Sequence, residues 1–186
     1  MVIRPATVAD APALLSIYTH YILHTAVTFE IEPPTVEEFR GRIEKTLRRY
    51  PYLAAEEEGR VLGYAYAAPV KTRAAYDWSS EVSIYLDKDQ RGRGVGKALY
   101  AVLFSQLRAM GIQNLYATIC DTDREDPYLT KASPRFHERE GFTLVGRHSR
   151  CGYKFDRWYD LLWMEKLIGD HPVPAPPIKP WGGVIL

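Results

Sequence analysis

Apolar and polar positions along this chain follow two periods, and the switches between them mark its elements. Val82-Ser83-Ile84-Tyr85-Leu86 is a β-branched and aromatic run that reads as a strand. Val95 to Met110 then places Leu99, Val102, Leu103, Leu107 and Met110 at helical spacing. Upstream, Ile3 to Asp10 reads as a short strand passing into a helix capped near Thr7 or Asp10. That helix carries Ala13, Leu14, Ile17, Tyr18, Tyr21 and Ile22 on one side. Thr35-Val36-Glu37-Glu38 is a capping box, and Val36, Phe39, Ile43 and Leu47 form the stripe of the helix it opens. Tyr52–Ala55 and Val61–Ala68 read as strands joined by a turn at Glu58-Gly59, with the next strand over Tyr76–Leu86. Leu115–Cys120 is another strand. Ser133–Glu140 reads as a short helix with Ser133 as N-cap and Pro134 at the first helical position. Thr143–Arg150 and Trp158–Lys166 close the pattern as two strands.

This order predicts an α/β protein with a mixed, mostly antiparallel sheet flanked by helices. At 186 residues the chain is expected to be one domain over residues 1–168, large enough to bury a core. From Gly169 five prolines fall within 18 residues, which predicts an extended, proline-rich tail over 169–186. Aromatic residues make up 12% of the chain and 13 of them are tyrosines, which suits a well-packed sheet. A net charge of +1 implies no general attraction to nucleic acid or membrane, so any anion selectivity must be local. No leader-like or membrane-spanning apolar run is present, and Cys120 and Cys151 are too few for a disulfide framework. A reduced, cytoplasmic setting is the expectation. His20 and His24 have the i, i+4 spacing of a metal pair but lack a third ligand nearby, so no metal is expected. Cys120 lacks an obvious base in sequence and is expected to be a buried strand residue.

The chemistry concentrates between the Val82–Leu86 strand and the Val95–Met110 helix, in Gln90-Arg91-Gly92-Arg93-Gly94-Val95-Gly96-Lys97. Glycines let a backbone approach an anion closely. The first-turn N–H groups of the following helix lack partners, and its dipole adds positive potential. Arg91, Arg93 and Lys97 supply counter-charge. A Walker A loop is excluded because Ala98 follows Lys97, where Ser or Thr is required. A dinucleotide fingerprint is excluded because the glycines fall at 92, 94 and 96, with no acidic strand end about 20 residues on. A phosphorylated cofactor of another kind is therefore expected, unless the loop is a plain basic surface turn.

Arg91, Gly94 and Gly96 form Arg-x-x-Gly-x-Gly, a pattern that resembles the coenzyme A pyrophosphate loop of the GNAT superfamily of N-acetyltransferases. The order of elements, the Arg4-Pro5-Ala6-Thr7 opening and the Gly141-Phe142 ending of the short helix resemble the same superfamily. Four runs are similar to the phosphinothricin and methionine sulfoximine N-acetyltransferases within it. They are His20-Tyr21 through Val27-Thr28-Phe29, Lys71 to Trp78, Glu81 to Tyr85, and Gly152 to Asp160. The resemblance covers residues 1 to 166. It implies a sheet splayed between the strand before and the strand after the long central helix, acetyl-CoA as co-substrate, and a homodimer with Trp158 and Trp163 as candidates for its surface.

The resemblance also implies roles. Glu81 stands where the family carries its catalytic glutamate. His137, four residues before Gly141-Phe142, stands where many members place a tyrosine acid and the phosphinothricin enzymes a histidine. Amide formation from a thioester requires a free amine, and a carboxylate at Glu81 would take the ammonium proton. Ser83, Ile84 and Tyr85 would offer backbone hydrogen bonds to the pantetheine arm and acetyl carbonyl, and residues 91 to 97 (Arg91, Gly92, Arg93, Gly94, Val95, Gly96, Lys97) would take the pyrophosphate. Lys71, Arg73 and Tyr76 match a cluster that contacts the acidic amino-acid analogue. Two cations and a hydroxyl within six residues suit a carboxylate and a phosphinate. Phe29 aligns with an aromatic lining the same pocket.

The chain departs from the pattern in three places. Thr130 replaces an Asn that contacts the cofactor, within a charged insert over Asp121 to Lys131. Glu140 replaces a leucine, and the tail is extra. The expected activity is acetylation of the α-amino group of a small L-amino acid or analogue. A peptide N-terminus, a polyamine, and a non-catalytic acetyl-CoA-binding module are the alternatives.

Overall fold

The computed structural model describes residues 1–185. Its strands are β1 (Val2–Pro5), β2 (Tyr52–Glu57), β3 (Arg60–Pro69), β4 (Ser79–Leu86), β5 (Asn114–Asp121), β6 (Thr143–Lys154) and β7 (Arg157–Leu167). Its helices are α1 (Ala11–His24), α2 (Val36–Leu47), α3 (Val95–Met110) and α4 (Ala132–Arg139). The strands form one mixed sheet, mostly antiparallel with one parallel pair, in the order β1-β2-β3-β4-β5-β7-β6. The α/β class expected from the alternating periods is the one observed.

The chain divides into two compact units. The first comprises Met1–Ile17, Pro34–Leu115 and Leu167 onward; the second comprises Tyr18–Pro33 and Tyr116–Lys166. In the first, β1 to β4 pair antiparallel in sequence order. The β2–β3 turn uses Glu58 (φ 51°) and Gly59 (φ 76°), a two-residue loop whose positive φ values match the strand twist. Tyrosine rings pack across these strands, Tyr52 stacked on Tyr66 at 4.8 Å between centroids and on Tyr64 at 5.7 Å, and Tyr64 tilted against Tyr85 at 5.4 Å. Helix α3 buries Leu99, Leu103 and Leu107 completely, and Tyr100 and Phe104 widen the expected stripe. It ends at Gly111 (φ 95°), whose N–H donates to the Arg108 carbonyl while the Ile112 N–H donates to that of Leu107.

In the second unit β6 and β7 form a hairpin turned at Phe155-Asp156, with φ 52° and 57°. The insert over Asp121 to Lys131 is folded onto the hairpin. Asp126 accepts from the backbone N–H groups of Tyr128 and Leu129 and from the Tyr159 hydroxyl, and Tyr128 stacks on Phe155 at 4.1 Å.

Several boundaries differ from the pattern-based expectation. The strand expected from Tyr76 begins at Ser79, because Tyr76 and Asp77 donate back to the Arg73 and Ala74 carbonyls in a 3₁₀ turn. Ser133 is not the N-cap of α4. Lys131 holds that position, and Pro134 is the third residue of the first turn, where its missing N–H leaves no bond unmade. Strand β6 runs four residues beyond Arg150, because irregular pairing between His148 and Gly152, with Arg150 at φ 50°, breaks the two-residue alternation without ending the strand. On α1, Ala13 is exposed while Ala11 and Leu15 are buried, and on α2 Val36 is exposed in the first turn.

Candidate active site

The glycine loop leads from β4 into α3 within the first unit. Gly92 and Gly94 adopt φ 77° and 80°, and no atom lies within 4 Å of where a Cβ would stand on either. Gly94 is the N-cap of α3 and offers no side chain to the first-turn N–H groups. An open, side-chain-free cradle at the positive end of a sixteen-residue helix fits a pyrophosphate. Arg91 and Lys97 are exposed beside it. Arg93 is partly committed elsewhere. Its guanidinium pairs with Glu57 at 2.9 Å and donates to the buried Gln90 side chain.

Strand β4 carries Glu81, Ser83, Ile84 and Tyr85, all half-buried and paired with Ala68, Tyr66, Ala65 and Tyr64 of β3. In an antiparallel ladder alternate residues turn their N–H and C=O away from the partner, so β4 has backbone groups directed away from β3. The loop before it exposes Lys71, Arg73 and Tyr76. These residues, Glu81 and the glycine loop all belong to the first unit.

Phe29 and His137 belong to the second. His137 is 4% exposed, its Nδ1–H donating to the Ser133 carbonyl at 2.9 Å. Its ring meets Phe136 and Phe142 edge-on, each at 5.3 Å. Burial lowers its pKa from 6.5 to about 4, the Ser133 hydrogen bond opposing that only in part. The ring is therefore neutral at pH 7, and with Nδ1 protonated its Nε2 carries a lone pair. Phe29 packs against a buried cluster of Ala26, Cys120, Leu129 and Tyr159. Lys154 of β6 holds the backbone on both sides of it, its Nζ donating to the Thr28 and Glu30 carbonyls at 2.8 Å each. Burial holds the Lys154 ammonium below its ordinary pKa. Gly152, two residues earlier on the same strand, leaves the space the Phe29 ring fills.

Comparison with known proteins decides the family. Residues 3–163 match the Acetyltransferase (GNAT) domain. The chain belongs to the GNAT acetyltransferase family. It is 39% identical to a phosphinothricin N-acetyltransferase of Streptomyces viridochromogenes, over 94% of this chain and 90% of that protein. It is 31% identical to an L-methionine sulfoximine/L-methionine sulfone acetyltransferase of Salmonella typhimurium, over 94% and 98% respectively. Among solved structures it resembles a GNAT phosphinothricin acetyltransferase from Sinorhizobium meliloti in complex with acetyl-CoA. There the TM-score is 0.85 and the identity 32%, covering 99% of this chain and 97% of that one.

Membership of the GNAT family gives several further residues a context. Cys120 is 5% exposed and burial pushes its thiol up to about 12, which removes it as a nucleophile at neutral pH. Among the described residues no group of three or more His, Cys, Asp or Glu could hold a metal, and no helix is long and apolar enough to cross a membrane. Thr130 is exposed, and its hydroxyl accepts from the Ala132 N–H at 3.4 Å. Sequence reasoning assigned no role to Lys154 and Gly152, although both lie in a run it singled out. Gly-x-Lys on one strand becomes a cradle for Phe29 only when residues 28–30 are folded against it.

The buried imidazole makes an acid-stability prediction. Because the folded pKa of His137 lies below the unfolded 6.5, the unfolded chain binds more protons between pH 6.5 and about 4. Stability from this group is fully present above pH 6.5 and falls on acidification, by about 1.4 kcal/mol per pH unit inside that window. Denaturant unfolding of the wild type and of His137→Phe across pH 4–7 is expected to show a shallower acid loss in the variant. Equal slopes would refute the buried neutral ring.

Proposed function

We propose that this GNAT protein transfers the acetyl group of acetyl-CoA to the α-amino group of a small L-amino acid or an acidic analogue such as phosphinothricin or methionine sulfoximine. The observation that carries the reading is the grouping of Lys71, Arg73, Tyr76 and Glu81 within eleven residues, in the unit that also holds the open glycine cradle. The names of the relatives support it. Arg91, Gly92, Gly94, Val95, Gly96 and Lys97 would hold the pyrophosphate, with Arg93 contributing what Glu57 leaves of its charge. Acetyl-CoA brings the activated thioester. Glu81 removes a proton from the acceptor ammonium, directly or through water, and backbone groups of Ser83, Ile84 and Tyr85 hold the acyl arm. His137 is the acid or proton relay of this reading: neutral, with its Nδ1–H given to Ser133, it passes a proton through Nε2 to the coenzyme A thiolate released when the C–S bond breaks, and does not supply one as a standing imidazolium at pH 7. Phe29 lines the acceptor pocket, and Lys71 and Arg73 select a second anionic group on the acceptor. A cell making such an enzyme would resist phosphinothricin.

A homodimer in a cytoplasmic setting belongs to the same reading. Strand β6 is an edge of the sheet, and Leu144, Val145 and Tyr153 on it, with Trp158 on β7, are each more than half exposed. Such an apolar edge is a ready surface for a second copy. A monomeric mass in solution would remove this part.

Thiol release from acetyl-CoA tests the activity, with phosphinothricin, methionine sulfoximine and the proteinogenic amino acids as acceptors. Turnover of the acidic analogues is expected. Lys71→Ala and Arg73→Ala are each expected to raise the KM for those analogues about tenfold or more, one charge-assisted contact being worth about 1.5–3 kcal/mol. The KM for acetyl-CoA should stay unchanged. Turnover confined to peptides or polyamines would replace this reading, and tight acetyl-CoA binding without turnover would favour a sensor.

A further inference from the structure

The segment after β7 makes hydrogen bonds along most of its described length, all within the first unit. The N–H groups of Ile168 and Gly169 donate to the Gln113 carbonyl at 2.8 and 3.3 Å. The His171 N–H donates to Gln113 Oε1 at 3.1 Å, and the His171 ring meets Asn114 Oδ1 at 2.7 Å. Lys179 N–H donates to the Met110 carbonyl at 2.9 Å. Trp181, 9% exposed, donates from its backbone to the Arg49 carbonyl and from its indole to the buried Gln106 side chain. The Pro177 carbonyl comes so close to Gly111 that a Cβ there would stand 2.9 Å away. A strip without helix or strand is thus fastened at both ends and in the middle.

One of these fastenings reaches the acceptor side of the proposed site. Trp78 Nε1–H donates to the Pro176 carbonyl at 2.7 Å. The Trp78 carbonyl in turn accepts from the Gln113 and Asn114 N–H groups, on the residues that hold Ile168 to His171. Asp77 pairs with Arg49 at 3.0 Å, and Arg49 is also where Trp181 docks. Residues 77 and 78 join the Lys71–Tyr76 loop to Glu81; the tail bonds Trp78 directly through Pro176 and reaches Asp77 through Arg49.

We propose that residues 169–185 form a strap that positions the 71–78 loop, making Trp78 a positioning residue for recognition of the amine acceptor. This rests on the assignment of Lys71, Arg73 and Tyr76 to the acceptor. The strap touches neither the glycine cradle nor its arginines in any of these contacts. Its loss should therefore weaken acceptor binding and leave cofactor binding alone, a split that general destabilisation would not produce.

The test compares the full chain, a chain ending at Ile168, and Trp78→Phe, which keeps an aromatic side chain, though a smaller one, and deletes the N–H donor. Two readouts are used, the KM for each substrate and amide hydrogen exchange over residues 71–82. In the truncated chain the acceptor KM is expected to rise about tenfold with that for acetyl-CoA within about twofold. Exchange over 71–82 should accelerate, and Trp78→Phe should show a smaller change of the same kind. If the truncated chain fails to fold, Trp78→Phe in the intact chain decides by the same two readouts. Both KM values moving together, or unchanged exchange over 71–82, overturns the strap. Where the full chain acetylates no amino acid, the functional reading fails and the exchange data alone judge the strap.

Discussion

Glu81→Gln is expected to lower kcat by about 10²–10⁴-fold while leaving the Kd for acetyl-CoA within about twofold. The substitution keeps the shape and hydrogen-bonding reach of the side chain and removes only its capacity to take a proton. Its position on β4, opposite Ala68 of β3 and two residues from Ser83, ties the side chain to a strand held in register over seven residue pairs. Simple repacking is therefore a weak explanation for any loss of rate. The proposed cofactor cradle lies beyond the end of that strand and depends on backbone conformation at Gly92 and Gly94, which the substitution does not touch. Single-turnover kinetics with calorimetric titration of acetyl-CoA separates the two quantities. A fall in kcat of less than tenfold would place the base elsewhere. Equal losses in rate and cofactor affinity would indicate a structural role.

Gly152→Ala is expected to cost about 1–3 kcal/mol of stability, several degrees in Tm for a chain of this size. A Cβ at Gly152 would collide with the Phe29 ring, with Cε1 at 2.6 Å and two other ring carbons closer still. The ring cannot retreat freely, because Lys154 fixes the carbonyls of Thr28 and Glu30 on either side. Gly146→Ala supplies the control on the same strand, since its Cβ would meet nothing closer than Trp163 Cβ at 3.9 Å. Paired thermal unfolding of the two variants should show a near-neutral Gly146→Ala and a clear loss at Gly152→Ala. If Phe29 lines the acceptor pocket, Gly152→Ala also raises the acceptor KM. Equal melting temperatures for the two variants would mean that the ring does not occupy the space Gly152 leaves.

Much of this arrangement was legible in the chain because its signals are local. The capping box at Thr35 and Glu38 forms as expected, with the Glu38 N–H donating to Thr35 Oγ1 and the Glu38 carboxylate accepting from Thr35. Helix α3 begins and ends at the expected residues because Gly94 and Gly111 both adopt left-handed φ. The errors fall where distant partners decide. Nothing between Tyr76 and Trp78 announces that Gln113 and Asn114 will take the Trp78 carbonyl. Ser133 is a good cap by type, yet the N-cap of α4 lies two residues earlier, at Lys131, whose ammonium pairs with Asp121 at 2.6 Å. The candidate residues were found through resemblance more than periodicity. The protonation of His137 could not be read from sequence, because it follows from the aromatic rings that close over it.

The packed tyrosines of β2, β3 and β4 carry a practical consequence. Phenol rings held 4.8 to 5.7 Å apart at fixed angles couple their electronic transitions. The protein should therefore show a near-ultraviolet circular dichroism band that depends on those rings keeping their mutual orientation. Such bands vanish when side-chain packing loosens even while backbone structure survives. The chain thus contains its own optical gauge of whether strands β2 to β4, which lead into the glycine loop, are intact, readable without a label.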